Sequence, residues 1–313
     1  MHILDYKRST QLGCCALVLW TIEPLLISEV NSLPIFELLT IIFSSACAVT
    51  SIRITRKKNW SKVIKQPLNV WLAGIAGICV SDFAYIYGAK FAPIAHVDLI
   101  DYMWPCLVII FASLLPKERL SLHHLIGGLV SALGILILIG HSQQAHVLGP
   151  HYLIGYVLAI LGACLWAGYS AFSRHFNSVP TEMIGMYCGA GALISFLMHI
   201  IFETFVMPSF HELFLAIITG VASSGIAYQL WDHGIKFGNI YLLGVLTYAA
   251  RMIAMALLVL FGKEPLTLNL ILACILASAG VLICSLEQNT IQKLTLLLKP
   301  IFKGLAKISM LRP

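Results

Sequence analysis

Apolar runs of roughly twenty residues recur along almost the whole chain, and nothing else in the sequence constrains the fold as strongly. A helix rises about 1.5 Å per residue and a bilayer core is about 30 Å thick, so each such run is long enough to cross a membrane. The 313 residues are 59% hydrophobic and only 11% charged, which exceeds what a soluble core absorbs. The expected fold class is an all-α integral membrane protein. Ten spans are predicted, near 10–28, 34–52, 69–89, 93–115, 122–140, 151–172, 181–206, 212–234, 239–261 and 265–286. Glu37 and Glu203 fall near the ends of the second and seventh, the two least regular runs.

Lys7 and Arg8 precede the first run, as in a signal peptide. That run holds Glu23 and Pro24 and has no clear small-residue cleavage site, so it reads as a retained span. All nine cysteines fall inside predicted spans without a CxxC pair, and read as small packing residues. No cofactor or metal is expected.

The basic residues orient the spans. With the N-terminus in the cytoplasm, 17 of the 20 Lys and Arg fall on the cytoplasmic side, Lys90 and Lys263 fall outside, and Arg251 lies within a span. The positive-inside rule then places both termini in the cytoplasm. The net charge of +6 reflects this loop bias and attraction to anionic membrane lipids, not nucleic-acid binding. After Glu287, Ile291, Leu294, Leu298, Ile301, Leu305 and Ile308 alternate with lysines at helical spacing. Residues 288–313 are therefore expected to form a basic amphipathic tail on the inner leaflet, kinked at Pro300.

The chain also repeats itself at an offset of 146 residues. YGAKFA at 87–92 matches HGIKFG at 233–238, and LPKERLSL at 115–122 matches FGKEPLTL at 261–268. Trp20 pairs with Trp166, Tyr102 with Tyr248 and Gly134 with Gly280. Each half (1–145 and 146–287) carries five spans. An odd number inverts the second copy in the membrane, and inverted repeats are a mark of transporters.

Ionisable residues within apolar spans are the next signal, because each costs about 3 kcal/mol at mid-membrane on insertion scales. They are Glu23, Asp82, Asp98, Asp101 and Arg251, with His96 and Asp232 nearer span ends. Asp98 and Asp101 share a helical face, and Pro105 is expected to kink the helix by crowding the carbonyl of Asp101. Carboxylates on a kinked intramembrane helix belong beside water or a ligand. Arg251 can neutralise Asp101 or Asp98, Glu23 can be solvated at its helix end, and Asp232 can pair with Lys236 one turn on. Asp82 has no obvious partner and is the candidate for proton coupling. Trp20, Tyr85, Tyr102, Trp104, Trp166, Tyr169, Tyr228, Trp231 and Tyr248 are expected to join these groups around a cavity.

DYMWP at 101–105, CLWAGYS at 164–170 and WDHGIKFGN at 231–239 resemble the drug/metabolite transporter superfamily. Within its ten-helix EamA-type group, DYMWP resembles the Asn-Tyr-Leu-Trp-Pro motif of bacterial aromatic amino acid exporters. The resemblance implies a central cavity lined by spans 1, 3, 4, 6, 8 and 9, with spans 5 and 10 at the rear. It implies transport of an amino-acid-type metabolite across the bacterial inner membrane by a monomer or homodimer. Asp101 replaces the exporters' neutral Asn, Asp82 and Asp98 stand at positions expected to be uncharged, and Arg251 stands at a usually neutral one.

The surplus acids favour a ligand with a ring and an added positive centre, such as S-adenosylmethionine, taken up or exchanged. Arg251 would hold its carboxylate. The alternative is an aromatic amino acid exporter. A non-transporting membrane sensor or scaffold is the rival from another class, with Gly185 and Gly189 in a GxxxG pattern that packs helices. An enzyme is disfavoured, since no metalloprotease or paired-histidine framework is present, and the absence of a P-loop argues against direct ATP coupling.

Overall fold

The computed structural model describes residues 3–30, 32–92, 97, 100–115, 121–140, 152–263 and 266–285. Asp98, His96 and the basic tail lie outside them. The long helices are α1 (Ile3–Ser28), α2 (Ile35–Arg56), α3 (Leu68–Phe91), α4 (Trp104–Ser113) and α5 (Leu122–Gly140). They are followed by α6 (Leu153–Phe172), α7 (Met183–Phe202), α8 (Phe210–Phe237), α9 (Ile240–Leu260) and α10 (Leu268–Ser285). A five-residue helix, Trp60–Ile64, joins α2 to α3. Among the described residues no strand is present, and α1, α2, α3, α6, α7, α8 and α9 are long and apolar enough to cross a membrane. Leu68, Leu72, Leu153, Ile200, Ile201 and Leu282 point outward and are more than half exposed. Apolar side chains facing outward on so many helices need hydrocarbon around them.

Packing follows a regular scheme. α3 packs on α6 and α8 on α1; α4 packs on α6 and α9 on α1. α2 pairs with α7, and α5 with α10. Helix α3 widens into a π-helical turn at Ala76–Val80, and α8 does the same over Gly220–Ala227. Adding 146 to the first range gives 222–226, inside the second. Such turns interrupt the 3.6-residue register and recur at functional sites. Asp82 follows the first and Tyr228 the second, again 146 apart.

The two uncertain span ends have a polar explanation. The Glu203 carboxylate, just past α7, accepts from the backbone N–H of Phe36 at 3.0 Å and of Glu37 at 3.3 Å. It therefore caps the N-terminus of α2, where free donors and the helix dipole favour an anion. Glu37 in turn accepts from the N–H of Val206 at 3.1 Å. Both acids tie α2 to α7 and mark span ends.

One expectation is corrected at Pro105. The chain turns at Tyr102–Met103 and α4 starts at Trp104, so Pro105 sits in the first turn of a new helix rather than kinking a continuous one. Proline lacks a backbone N–H, and in a first turn that donor would have no intrahelical partner in any case.

Close helix contacts depend on glycine. A Cβ on Gly185 would fall 2.3 Å from Thr50, and one on Gly189 2.9 Å from the Cys47 sulfur. The GxxxG pattern thus packs α7 on α2 within one chain. At the α5–α10 contact, a Cβ on Gly280 would lie 2.4 Å from the carbonyl oxygen of Gly127, which no rotamer change relieves. Gly280→Leu is expected to destabilise the protein by about 1–3 kcal/mol through overpacking. The check is its thermal midpoint in detergent, which should fall below that of the unsubstituted protein; an unchanged midpoint would contradict this packing.

Candidate functional site

Helices α1, α3, α4, α6, α8 and α9 enclose a cavity of about 240 Å³. α1 contributes Trp20 and Glu23, α3 contributes Asp82 and Tyr85, Asp101 and Tyr102 come from just before α4, and Trp104 is its first residue. Trp166 on α6, Tyr228 on α8 and Arg251 on α9 complete the wall. Ten residues expected from sequence therefore meet in one place. Asp98 lies outside the described residues.

The cavity has an aromatic floor. Trp20 meets Trp166 at 6.1 Å, Tyr228 at 5.7 Å and Trp231 at 5.4 Å between ring centroids. Trp104 meets Trp166 at 6.0 Å and Trp231 at 5.9 Å, while Trp166 and Tyr228 are 5.2 Å apart. Edge and tilted contacts at these separations are favourable for ring quadrupoles. The floor lies toward the N-terminal end of the bundle. There Ser9 meets the His233 ring at 3.3 Å, and Thr10 accepts from the N–H of Asn239 at 2.9 Å. At the opposite end Lys263 bonds Glu29 at 2.5 Å, holding that exposed carboxyl below its ordinary pKa by the hydrogen bond and its charge.

The charged wall lies on the far side of the floor from the N-terminus. The Arg251 guanidinium sits over the Tyr102 ring, 4.8 Å from its centroid. It shares the cavity wall with Glu23. Asp82 and Asp101 line the same cavity. Three carboxylates thus share the cavity with one guanidinium. That arrangement can bind a ligand bearing a carboxylate, an ammonium and a ring, through Arg251, the acids and the floor respectively.

Three of the expected wall residues stand elsewhere. Trp231 is fully buried beneath the floor and donates to the Ser170 hydroxyl at 3.1 Å. Tyr248 is fully buried beside Ala132 and Ala273, with its hydroxyl 2.9 Å from the Cys106 sulfur; its ring touches Tyr102 from behind. Tyr169 lies one turn below Trp166, lines a separate cavity, and donates to Asp232 at 3.0 Å. Asp232 does pair with Lys236, at 2.7 Å. Sequence reasoning missed Ser81, Gly162 and Thr247, which also line the main cavity. Thr247 stands 146 residues after Asp101, so the repeat offset alone points to it.

Comparison with known proteins decides the family. The profile of the EamA-like transporter family matches residues 9–140 and 153–286, most of the chain in two segments. This chain belongs to the EamA-like transporter family. It is a multi-pass membrane protein of a transporter family, not an enzyme family. The aromatic amino acid exporter YddG of Ancylobacter novellus is 36% identical over 283 residues, covering 90% of this chain and 99% of that protein. The exporter of the same name from Escherichia coli is 24% identical over 306 residues, covering 90% and 98%. A solved crystal structure superposes on this EamA-like chain with a TM-score of 0.84 and 35% identity, covering 89% of this chain and 96% of that one.

Coupling between Glu23 and Arg251 across the cavity is testable by a double-mutant cycle on thermal unfolding at neutral pH. Arg251→Gln is expected to destabilise, and adding Glu23→Gln to restore part of the loss, with a coupling of about 0.5–3 kcal/mol. Strict additivity would contradict an interaction between the two groups.

Proposed function

We propose that this EamA-like protein is a secondary transporter of aromatic amino acids, working as an exporter. The observation that carries the reading is the meeting of Arg251, three carboxylates and an aromatic floor in one cavity. Arg251 takes the substrate carboxylate, Glu23, Asp82 or Asp101 takes the ammonium, and the ring rests on Trp20, Trp166 and Tyr228. Tyr85, Tyr102 and Trp104 close the sides. Trp231, Tyr169 and Tyr248 act from behind, holding the lining rings in place. Asp82 is the coupling residue, carrying a proton that is exchanged as substrate moves. The names of the relatives, at 36% identity for the Ancylobacter protein, support both the substrate class and the direction.

The architecture that goes with this function is ten spans in two inverted repeats, 1–145 and 146–287, followed by a cytoplasmic amphipathic tail at 288–313. The two-segment family match, the interchangeable packing of α3 on α6 and α8 on α1, and the paired π-helical turns support it. Both termini face the cytoplasm of a bacterial inner membrane, following the basic loops. The cavity then opens away from the cytoplasm, and the aromatic floor closes the cytoplasmic side.

A second reading is S-adenosylmethionine transport. The observation favouring it is the excess of carboxylates over Arg251, which suits a ligand with a further positive centre. Counterflow in liposomes separates the two. Labelled phenylalanine and tryptophan should show saturable flux that falls at least about tenfold, a loss of about 1.4 kcal/mol, in Arg251→Gln. Flux of labelled S-adenosylmethionine alone would replace the first reading with the second. Ligand binding without flux would instead support a sensor.

A further inference from the structure

A second cavity of about 240 Å³ lies on the N-terminal side of the aromatic floor, between α3, α6, the start of α7 and the end of α8. Its wall is mainly apolar and aromatic, with Tyr169, Phe172 and Tyr187 among the rings, and carries Ser173 and one ion pair. Asp232 is fully buried and Lys236 nearly so, at 7% exposure. The Lys236 Nζ donates to Asp232 Oδ2 at 2.7 Å and to the Val179 carbonyl at 3.2 Å, while Tyr169 donates to Asp232 Oδ1 at 3.0 Å.

We propose that this second cavity is a binding site for an α-amino acid, with Lys236 receiving its carboxylate, Asp232 its ammonium, and the surrounding rings its side chain. The proposal rests on the amino acid reading above and adds a second station to it. Burying an ion pair costs several kcal/mol per charge, and the mutual attraction recovers that only with good geometry. A zwitterion inserted between Lys236 and Asp232 replaces one ion pair by two, so no charge is left uncompensated. The space is also below the roughly 300–1,000 Å³ of drug-sized pockets, which suits a ligand on the scale of one amino acid.

The cavity is open where a packed interface would be closed. A Cβ on Gly168 would meet nothing nearer than Phe172 at 4.0 Å, whereas Cβ atoms on Gly74 and Gly77 across the space would collide with Tyr187 and Tyr169. The rings therefore lean on α3 and leave the Gly168 side empty. Trp166 lines the first cavity and Tyr169 the second, and their rings stack at 6.1 Å. A ligand in the second site is thus separated from the first by one layer of rings. It occupies the side from which an exported amino acid would come.

The test uses the full chain in nanodiscs with labelled phenylalanine and tryptophan, read as binding stoichiometry. Two molecules per protein are expected. Gly168→Leu, which fills the cavity and leaves the ion pair in place, should reduce this to one, with the affinity of the remaining site unchanged. Arg251→Gln should remove the other. Lys236→Met should weaken the second site at least about tenfold. Ala73→Leu fills the same cavity from the opposite wall if Gly168→Leu folds poorly.

Cys164, in the cavity wall, gives an independent readout. Its alkylation by N-ethylmaleimide, followed by peptide mass spectrometry, should be slowed by phenylalanine in the unsubstituted protein and not in Gly168→Leu. A single site per protein that Gly168→Leu and Lys236→Met leave unchanged, with Cys164 unprotected at saturating ligand, would overturn the second site while leaving the transport reading intact. Failure of every amino acid to bind or to move would overturn both.

Discussion

The contact between Trp20 and Trp166 is the one on which the rest of the site depends. The two rings lie 146 residues apart in sequence and meet at 6.1 Å between α1 and α6. Around them Tyr228, Trp104 and Trp231 complete a layer that divides the interior into two cavities. A layer of rings in edge contact can be taken apart without leaving an unpaired charge in the membrane. The charged groups stand on either side of it, Glu23, Asp82, Asp101 and Arg251 on one side and Asp232 with Lys236 on the other.

That arrangement explains why carboxylates are tolerated in helices otherwise suited to lipid. Many apolar side chains face outward, and the acids face the interior cavity. The acids at the ends of α2 and α7 answer a different need: Glu203 and Glu37 satisfy backbone donors where helices end. Asp101 and Glu203 are both acids near the edge of an apolar run, and their surroundings alone separate a cavity-lining acid from a capping one.

Much of this was legible in the sequence. Run length set the membrane class, and ionisable and aromatic residues inside apolar runs marked ten residues of the cavity wall. The offset of 146 matched Trp20 with Trp166 and Tyr102 with Tyr248 as equivalent positions, and in the fold the rings of each pair also meet. What failed was the direction of individual rings. Tyr248 and Trp231 sit on lining helices yet face neighbouring helices, because a span lines a cavity with only a narrow stripe. The π-helical turn at Gly220–Ala227 shifts the register just before Trp231, so a 3.6-residue projection through α8 misplaces it. Ser81 and Thr247 were missed because small hydroxyl residues in a span read as packing. The second cavity left no trace in the sequence, since it is a gap between four elements and not a pattern within one.

The central claim is that an aromatic amino acid sits on the ring layer with its carboxylate at Arg251. The most direct measurement is an experimental structure of the full chain with phenylalanine bound at saturating concentration. The account predicts density for the ligand ring against Trp20, Trp166 and Tyr228, its carboxylate at the Arg251 guanidinium and its ammonium among Glu23, Asp82 and Asp101. A fully occupied ligand elsewhere, with this cavity holding only solvent, would contradict it.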